Sequence, residues 1–407
     1  MWGFNDWKLG FTSDYLPEYR TLFVPLRMSG VKAIHNLKLH LDSNTVFIAW
    51  GFNERRSAKR YAKYKNIPLW RMEDAFIRSS ALGASHATPY SLILDKTGFY
   101  YDCNQPSDIE NILNNTDFQA NPQLLKKAQK ALDTIIDLRL SKYNPPSNNS
   151  ARIIDKIKMR KRIVVLGQVD SDASIRLGNP DGWTAEELVK LAKFENPDAE
   201  VLYRPHPEIY KGYQKSRFKK KRIERIATVV SPDEPFIDSL TSIDHVYTIT
   251  SLSGFEALLR GKKVTVVGAP FYSGWGLTDD RVKIERRTAK LTLLELFLGS
   301  YLIYPKYLAN LKDSYIGLKA AAYRISVDQL TIDFDNTIKS QDISAKYFPA
   351  MLLKNDGINI LTKIQSVDFS SMFKQGDDEY QYQIYISLFI LGFANSDDER
   401  NQVLLRI

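Results

Sequence analysis

Five short stretches of this chain hold side chains of the types that do chemistry. Arg204-Pro205-His206-Pro207 sets a permanent cation beside an imidazole, and both are donors suited to a phosphate. Thr250-Ser251-Leu252-Ser253-Gly254-Phe255-Glu256 places hydroxyls and a glycine at what reads as a helix start. There, free N–H groups and the helix dipole favour an anion, although N-capping by serine alone accounts for the same residues. In Gln168-Val169-Asp170-Ser171-Asp172-Ala173-Ser174 the two aspartates are open to three roles: holding a metal, capping a helix, or acting as a nucleophile. With no histidine beside them and only two carboxylates, the metal role is the weakest of the three. The adjacent Glu73 and Asp74 of Met72-Glu73-Asp74-Ala75-Phe76-Ile77-Arg78 are either solvated, helix-capping, or an acid/base pair facing carboxylates across a cleft. Last, Gly268 to Asp279 is a loop rich in glycine and aromatics, fit either to wall a base or sugar or to pack as an interdomain hinge.

Positioning such residues takes strands. Apolar, β-branched runs predict strands at Thr21–Arg27, Thr45–Trp50, Arg162–Gln168, Glu200–Pro205, Ala227–Ser231, His245–Thr250 and Lys263–Ala269. Helical patterns lie between them at Glu54–Asn66, Asn121–Asn144 and Thr184–Asn196. Near-continuous apolar strands alternating with helices are the pattern of parallel sheets covered on both faces. In such sheets ligands bind beyond the carboxyl ends of the strands, where the Arg204, Ser251 and Asp172 segments all fall. The proline- and asparagine-rich Pro145–Ala151 marks a domain boundary, and the last hundred residues read as helical. The expected organisation is therefore 1–150, 151–300 and a mainly helical 301–407 packing on the other two.

A chain of 407 residues at 44% hydrophobic and 25% charged content is an ordinary globular composition, which excludes disordered and fibrous classes. Its single cysteine, Cys103, excludes an internal disulfide framework and a cysteine-based zinc site, and points to a reducing cytoplasm. The N-terminus lacks the basic-then-apolar pattern of a secretory signal, and the most apolar run, Ile384–Ala394, is too short to span a bilayer. The expectation is a cytoplasmic protein. Ending on Val-Leu-Leu-Arg-Ile, it also reads as part of a longer one. The formal charge of +9 attracts anions. Much of it lies in Lys211–Arg225, either a solvated face or a patch turned to an acidic membrane or nucleic acid.

Taken in order, the segments EDAFIRS, SLILDKTGFYYD with PSDIENIL behind it, QVDSDAS, RPHP, TSLSGFEALLRG and GAPFYSGWGLTDDR resemble the capsule polysaccharide synthesis family, the KpsC-type β-Kdo glycosyltransferases. The resemblance runs from about Trp50 to Arg281 and leaves out the first fifty and last hundred residues. It implies an α/β, GT-B-like fold of two Rossmann-type domains, with parallel sheets facing a central cleft. It implies transfer of Kdo, a carboxylated eight-carbon ketosugar, from CMP-β-Kdo with retention of configuration, without a metal or other cofactor. His206 with Pro207 and Arg204 would meet the CMP phosphate, and Ser251 and Ser253, with Gly254 and Glu256, would match the serine motif binding the same group. Gln168, Asp172 and Ser174 fit the pattern QxxxDxS, whose aspartate is the nucleophile of a double displacement; Asp170 is the alternative. Glu73 and Asp74 match the acid/base pair, with Ala75 where the family usually has glycine. Arg78 and Arg176 are candidates for the sugar carboxylate by position, and Tyr272 and Trp275 for sugar or acceptor contact.

The partners implied are CMP-β-Kdo and a saccharide or lipid-linked acceptor of capsule or O-antigen synthesis, the inner-membrane surface, and further polysaccharide-synthesis domains, with no nucleic acid. Two other readings stand beside this one. One is a different CMP-, CDP- or UDP-dependent glycosyl- or glycerophosphotransferase; the other is a non-enzymatic nucleic-acid- or membrane-binding protein led by the charge.

Overall fold

The strands collect into two sheets. In the computed structural model the described residues are 1–322 and Ile325, apart from 27, 29–31, 34, 36–40, 80–85, 145–157, 214–219, 234–235 and 308–313. Residues 1–322 form one compact unit that holds both sheets. The expected boundary at Pro145–Ala151 and nearly all of the expected C-terminal helices lie outside the described residues.

The second sheet matches the sequence expectation most closely. It contains β4 (Arg162–Leu166), β5 (Glu200–Arg204), β6 (Thr228–Val229), β7 (His245–Thr248), β8 (Lys263–Val266) and β9 (Asp279–Asp280), all parallel, in the order β6-β5-β4-β7-β8-β9. The chain starts at the centre, runs outward to one edge, returns, and runs to the other. Its topological switch point therefore falls between β4 and β7, where neighbouring connections leave on opposite faces and open a crevice. Ile163, Val165, Val201, Tyr203 and Tyr247 pack one face against Leu188, Val189 and Ala192 of the helix Ala185–Glu195. That helix begins with a reciprocal capping box between Thr184 and Glu187.

The first sheet departs from expectation. Strands β1 (Phe47–Trp50) and β2 (Leu69–Asp74) are parallel, joined through the helix Arg56–Tyr64. Strand β3 (Ser91–Asp95) then runs antiparallel to β2, and β10 (Pro305–Tyr307) antiparallel to β3. A parallel neighbour needs a crossover to carry the chain back, and no helix connects β2 to β3 among the described residues. The α/β, GT-B-like class holds, with one parallel sheet and one mixed. Thr21–Arg27 forms no strand in its described residues; it is tied instead to the chain start through Val24 N to Met1 O and the Met1 amino group to Leu22 O. Pro25 removes a donor that a ladder there would need.

The two halves are locked together. Phe76 stacks on Phe271 at 4.6 Å, and Phe255 and Tyr301 close around the pair. Arg287, almost fully buried, bonds Glu110 of the helix Asp108–Asn115 at 2.9 Å and the carbonyls of Pro270 and Ser273. Among the described residues of the basic run, Lys211 pairs with Asp233, Lys220 with Glu224 and Arg222 with Glu186, all at the surface. Among the described residues, no helix is long and apolar enough to cross a membrane.

Candidate functional site

At the switch point, Gln168 after β4 binds Thr250 after β7 in both directions: its Nε2 donates to Thr250 Oγ1 at 2.9 Å and its Oε1 accepts from Thr250 N at 2.8 Å. The pair pins the floor of the crevice. Gly167 permits this approach, since a Cβ there would strike the Tyr203 hydroxyl and reach Pro205 Cα at 3.0 Å. Four residues after Gln168, Asp172 occupies the N-cap position of the helix Ala173–Gly178, yet its side chain caps nothing. The carboxylate is thus left for other chemistry. It is exposed at the surface while surrounding protein strips part of its solvation, the combination expected in a concavity. Burial first and the charge of Glu208 second push its pKa up to about 6, against the opposing pull of Arg176. Ser174 and Arg176 lie on the same short helix, half-buried and exposed respectively. Asp170 is half-buried, and among the described residues no three metal-ligating side chains come together.

The residues expected to meet a phosphate lie beyond β5 and β7. Ser251 caps the eight-residue helix Leu252–Leu259, its Oγ accepting from Ser253 N at 3.2 Å while its own N donates to Thr248 Oγ1 at 3.0 Å. Gly254 is required beneath it, because a Cβ would collide with the Tyr272 hydroxyl and come within 2.9 Å of Thr248 Cγ2. His206 caps the turn Pro207–Tyr210, with Nδ1 accepting from Glu208 N at 3.3 Å. That bond assigns the proton of the neutral ring to Nε2, which is then the donor available to a ligand. Burial, helped by Arg204 and opposed by Glu208, lowers the His206 pKa. Arg204 itself donates to Pro232 O at 2.8 Å and lies over the Phe236 ring, so it anchors the following loop as well as charging the region. Glu256 is buried and accepts the Lys142 N–H at 2.9 Å; it joins the halves behind the serine turn.

The acidic pair ends β2 in the other half. Glu73 Oε2 accepts from the Tyr101 hydroxyl at 3.1 Å, and Asp74 Oδ2 from Arg78 Nε at 2.7 Å. Burial raises the Glu73 pKa, Lys142 opposes it, and Asp74 adds to the rise. Such an environment favours the protonated form more than water does. Tyr101 also links this pair to the nucleophile candidate, since its carbonyl packs against Gly178, the last residue of the helix that Asp172 begins.

Three expectations need correction. Arg78 is fully buried and held by Asp74 and Ser79, so no surface is left on it for a sugar carboxylate to reach. Tyr272 is fully buried, stacked on Phe255 at 5.4 Å with its hydroxyl donating to Ser251 O. Trp275 is equally buried, its indole N–H donating to Phe271 O at 2.7 Å. The aromatic loop is therefore a packed support for the serine turn, the hinge alternative rather than the sugar wall. Three residues that sequence reasoning passed over stand near the acidic pair: Lys8, Tyr101 and Lys142. Tyr101 lies within a motif already noted, and Lys8 had a signal of its own, a lone lysine among Trp2, Phe4, Trp7 and Phe11.

Comparison with known proteins matches residues 46–307 to the capsule polysaccharide biosynthesis protein family. The chain is similar to the lipopolysaccharide-processing protein LpsZ of Rhizobium meliloti, 40% identical over 329 residues, covering 81% of this chain and 74% of that protein. It is also similar to the capsule polysaccharide modification protein LipA of Neisseria meningitidis serogroup A, 36% identical over 323 residues, 79% of this chain and 44% of LipA. The chain thus spans less than half the length of LipA. Among solved structures it is similar to the β-Kdo 2,4 transferase of Thermosulfurimonas dismutans KpsC, with TM-score 0.61 and 36% identity over 68% of this chain and 86% of that one. The β-Kdo 2,7 transferase of the same KpsC gives TM-score 0.59 and 30% identity, over 79% of this chain and 96% of that one.

Proposed function

The chain belongs to the capsule polysaccharide biosynthesis family, and from that premise we propose that it is a retaining glycosyltransferase moving Kdo from CMP-β-Kdo to a saccharide or lipid-linked saccharide acceptor. The observation that carries this reading is the uncommitted carboxylate of Asp172, beside a switch-point crevice whose other strand ends present Ser251 and His206. The two Kdo transferases among its structural relatives supply the substrate class.

In the proposed reaction CMP lies with its phosphate on the serine turn and the Nε2 proton of His206. An Asp172 oxygen attacks the ketosidic carbon from the face opposite CMP. The bond to the phosphate oxygen breaks, CMP departs with the bonding pair, and Kdo remains as an ester of Asp172. Charge developing on the leaving phosphate is met by the N-terminal N–H groups of the helix behind Ser251. Glu73, raised by burial, takes the proton of the acceptor hydroxyl. That hydroxyl then attacks the same carbon from the vacated face, releases Asp172, and two inversions give retention. Asp74 holds Arg78 and sets the electrostatics beside Glu73. The residues present supply acid, base, nucleophile and anion donors, so no step is routed through a metal.

Intact-protein mass spectrometry with CMP-Kdo generated in situ tests the proposal on wild type and Asp172→Ala. A gain of one Kdo unit on wild type alone, with CMP released, is expected. An absence of both adduct and CMP release sinks the Kdo reading; release driven by a different nucleotide sugar in a donor panel would put another activated-sugar transferase in its place.

A further inference from the structure

We infer that Lys8 and Lys142 form a receptor for the carboxylate of a sugar acid bound beside Glu73 and Asp74. The inference rests on the proposed function only for naming the ligand a sugar acid.

Lys8 is only 8% exposed, unusual for a residue that seldom leaves water. Its Nζ lies 3.3 Å from the centre of the Trp50 ring and 5.4 Å from that of Trp7, and it donates a hydrogen bond to no described residue. The Lys142 Nζ, 5.7 Å from the Tyr143 ring, likewise has no hydrogen-bond acceptor among the described residues. Its main chain is fixed on both sides: N donates to Glu256 at 2.9 Å and O accepts from Arg78 N at 3.2 Å. The Arg78 guanidinium lies 5.9 Å from the rings of both Trp7 and Tyr143, so it shares one ring with each lysine.

Holding a sheltered ammonium without an acceptor is costly, and a fold ordinarily pairs it or leaves it in water. Neither carboxylate hydrogen-bonds either amine: Glu73 Oε2 accepts from Tyr101 and Asp74 Oδ2 from Arg78, so the charges attract the lysines without using their N–H groups. Burial draws the Lys8 pKa down to about 8 while Asp74 and Glu73 hold it up. At Lys142 the same carboxylates and two tyrosines outweigh burial and keep the amine protonated. Two charged donors with unused N–H groups, walled by flat rings, suit a planar anion on a sugar: the oxygens take the N–H donors and the ring C–H face lies on the aromatics. A phosphate is already provided for at the serine turn in the other half. In a Kdo transfer the carboxylate is either the donor's or that of an acidic acceptor.

Calorimetry on the full chain with the methyl glycoside of Kdo and with its methyl ester tests this without relying on transfer. Wild type is expected to bind the acid about tenfold or more tightly than the ester, the worth of one charged hydrogen bond. Lys8→Met and Lys142→Met, each with its melting checked, are expected to erase that preference. No measurable binding of the acid, equal affinities for acid and ester, or variants that keep the preference overturns the inference. In transfer assays, a rise in KM for the acceptor assigns the carboxylate to the acceptor, and a rise for CMP-Kdo assigns it to the donor. A lysine-dependent preference without any Kdo transfer leaves the receptor standing and removes the transferase reading. Transfer that treats acid and ester acceptors alike, with unchanged donor KM in both variants, does the reverse.

Discussion

A carboxylate that must attack carbon has to be ionised, and the environment of Asp172 makes that condition depend on pH near neutrality. Its pKa is raised to about 6, so the nucleophilic form is lost as pH falls through that value and transfer should fall with it. Because the negative charge of Glu208 contributes to the rise, Glu208→Gln should move the acid limb of the kcat/KM profile to lower pH. An unmoved limb would assign it to another group. The neighbouring residues show why such roles are only half readable in a sequence. Asp172 could be singled out from its hydroxyl and amide neighbours, but whether it capped its helix or kept its carboxylate open depended on a side-chain torsion. Tyr272 and Arg78 looked like ligand contacts because aromatic and cationic side chains often are; burial, which no local pattern records, turned both inward.

The elements that present these residues are fixed by close approaches. Gly254 lets the helix behind Ser251 sit on the Tyr272 hydroxyl, and Gly254→Ala should lower stability by about 1–3 kcal/mol in urea unfolding. Adding Tyr272→Phe, which removes the colliding oxygen, should recover part of that loss; full additivity of the two changes would show that the collision is not the cause. Strands β4 to β8 of the second sheet were legible because each lies in an apolar run bounded by polar turns. Strand β2 was not, since Arg71, Glu73 and Asp74 interrupt it. Its central charge is tolerated only because Arg71 meets Glu54, seventeen residues away, in a buried ion pair. Strand β9 is two aspartates, and pairing with β8 together with the bond from Thr265 to Asp279 makes a strand of residues with little β-propensity.

At the scale of the compact unit 1–322, the placement of the acidic pair relative to Asp172 depends on contacts between the two sheets' halves. The Glu110–Arg287 ion pair is a buried one among these, and breaking it leaves a charge without its partner. Glu110→Gln is expected to cost about 3–5 kcal/mol and to reduce transfer as well as stability; a variant with wild-type unfolding would show that the pair does not bind the halves together. Composition, the order of motifs and the strand–helix alternation determined the α/β class, the family resemblance and the placement of the serine and histidine segments at strand ends, because those properties are written in local periodicity and short spacings. Only the tertiary structure decided that the first sheet is mixed, that Gln168 clasps Thr250 across the switch point, and that Lys8 and Lys142 stand beside the same two carboxylates. Lys8 and Lys142 are 134 positions apart in the chain, and which distant groups share a low-dielectric pocket is settled by packing and charge compensation rather than by any neighbouring residue.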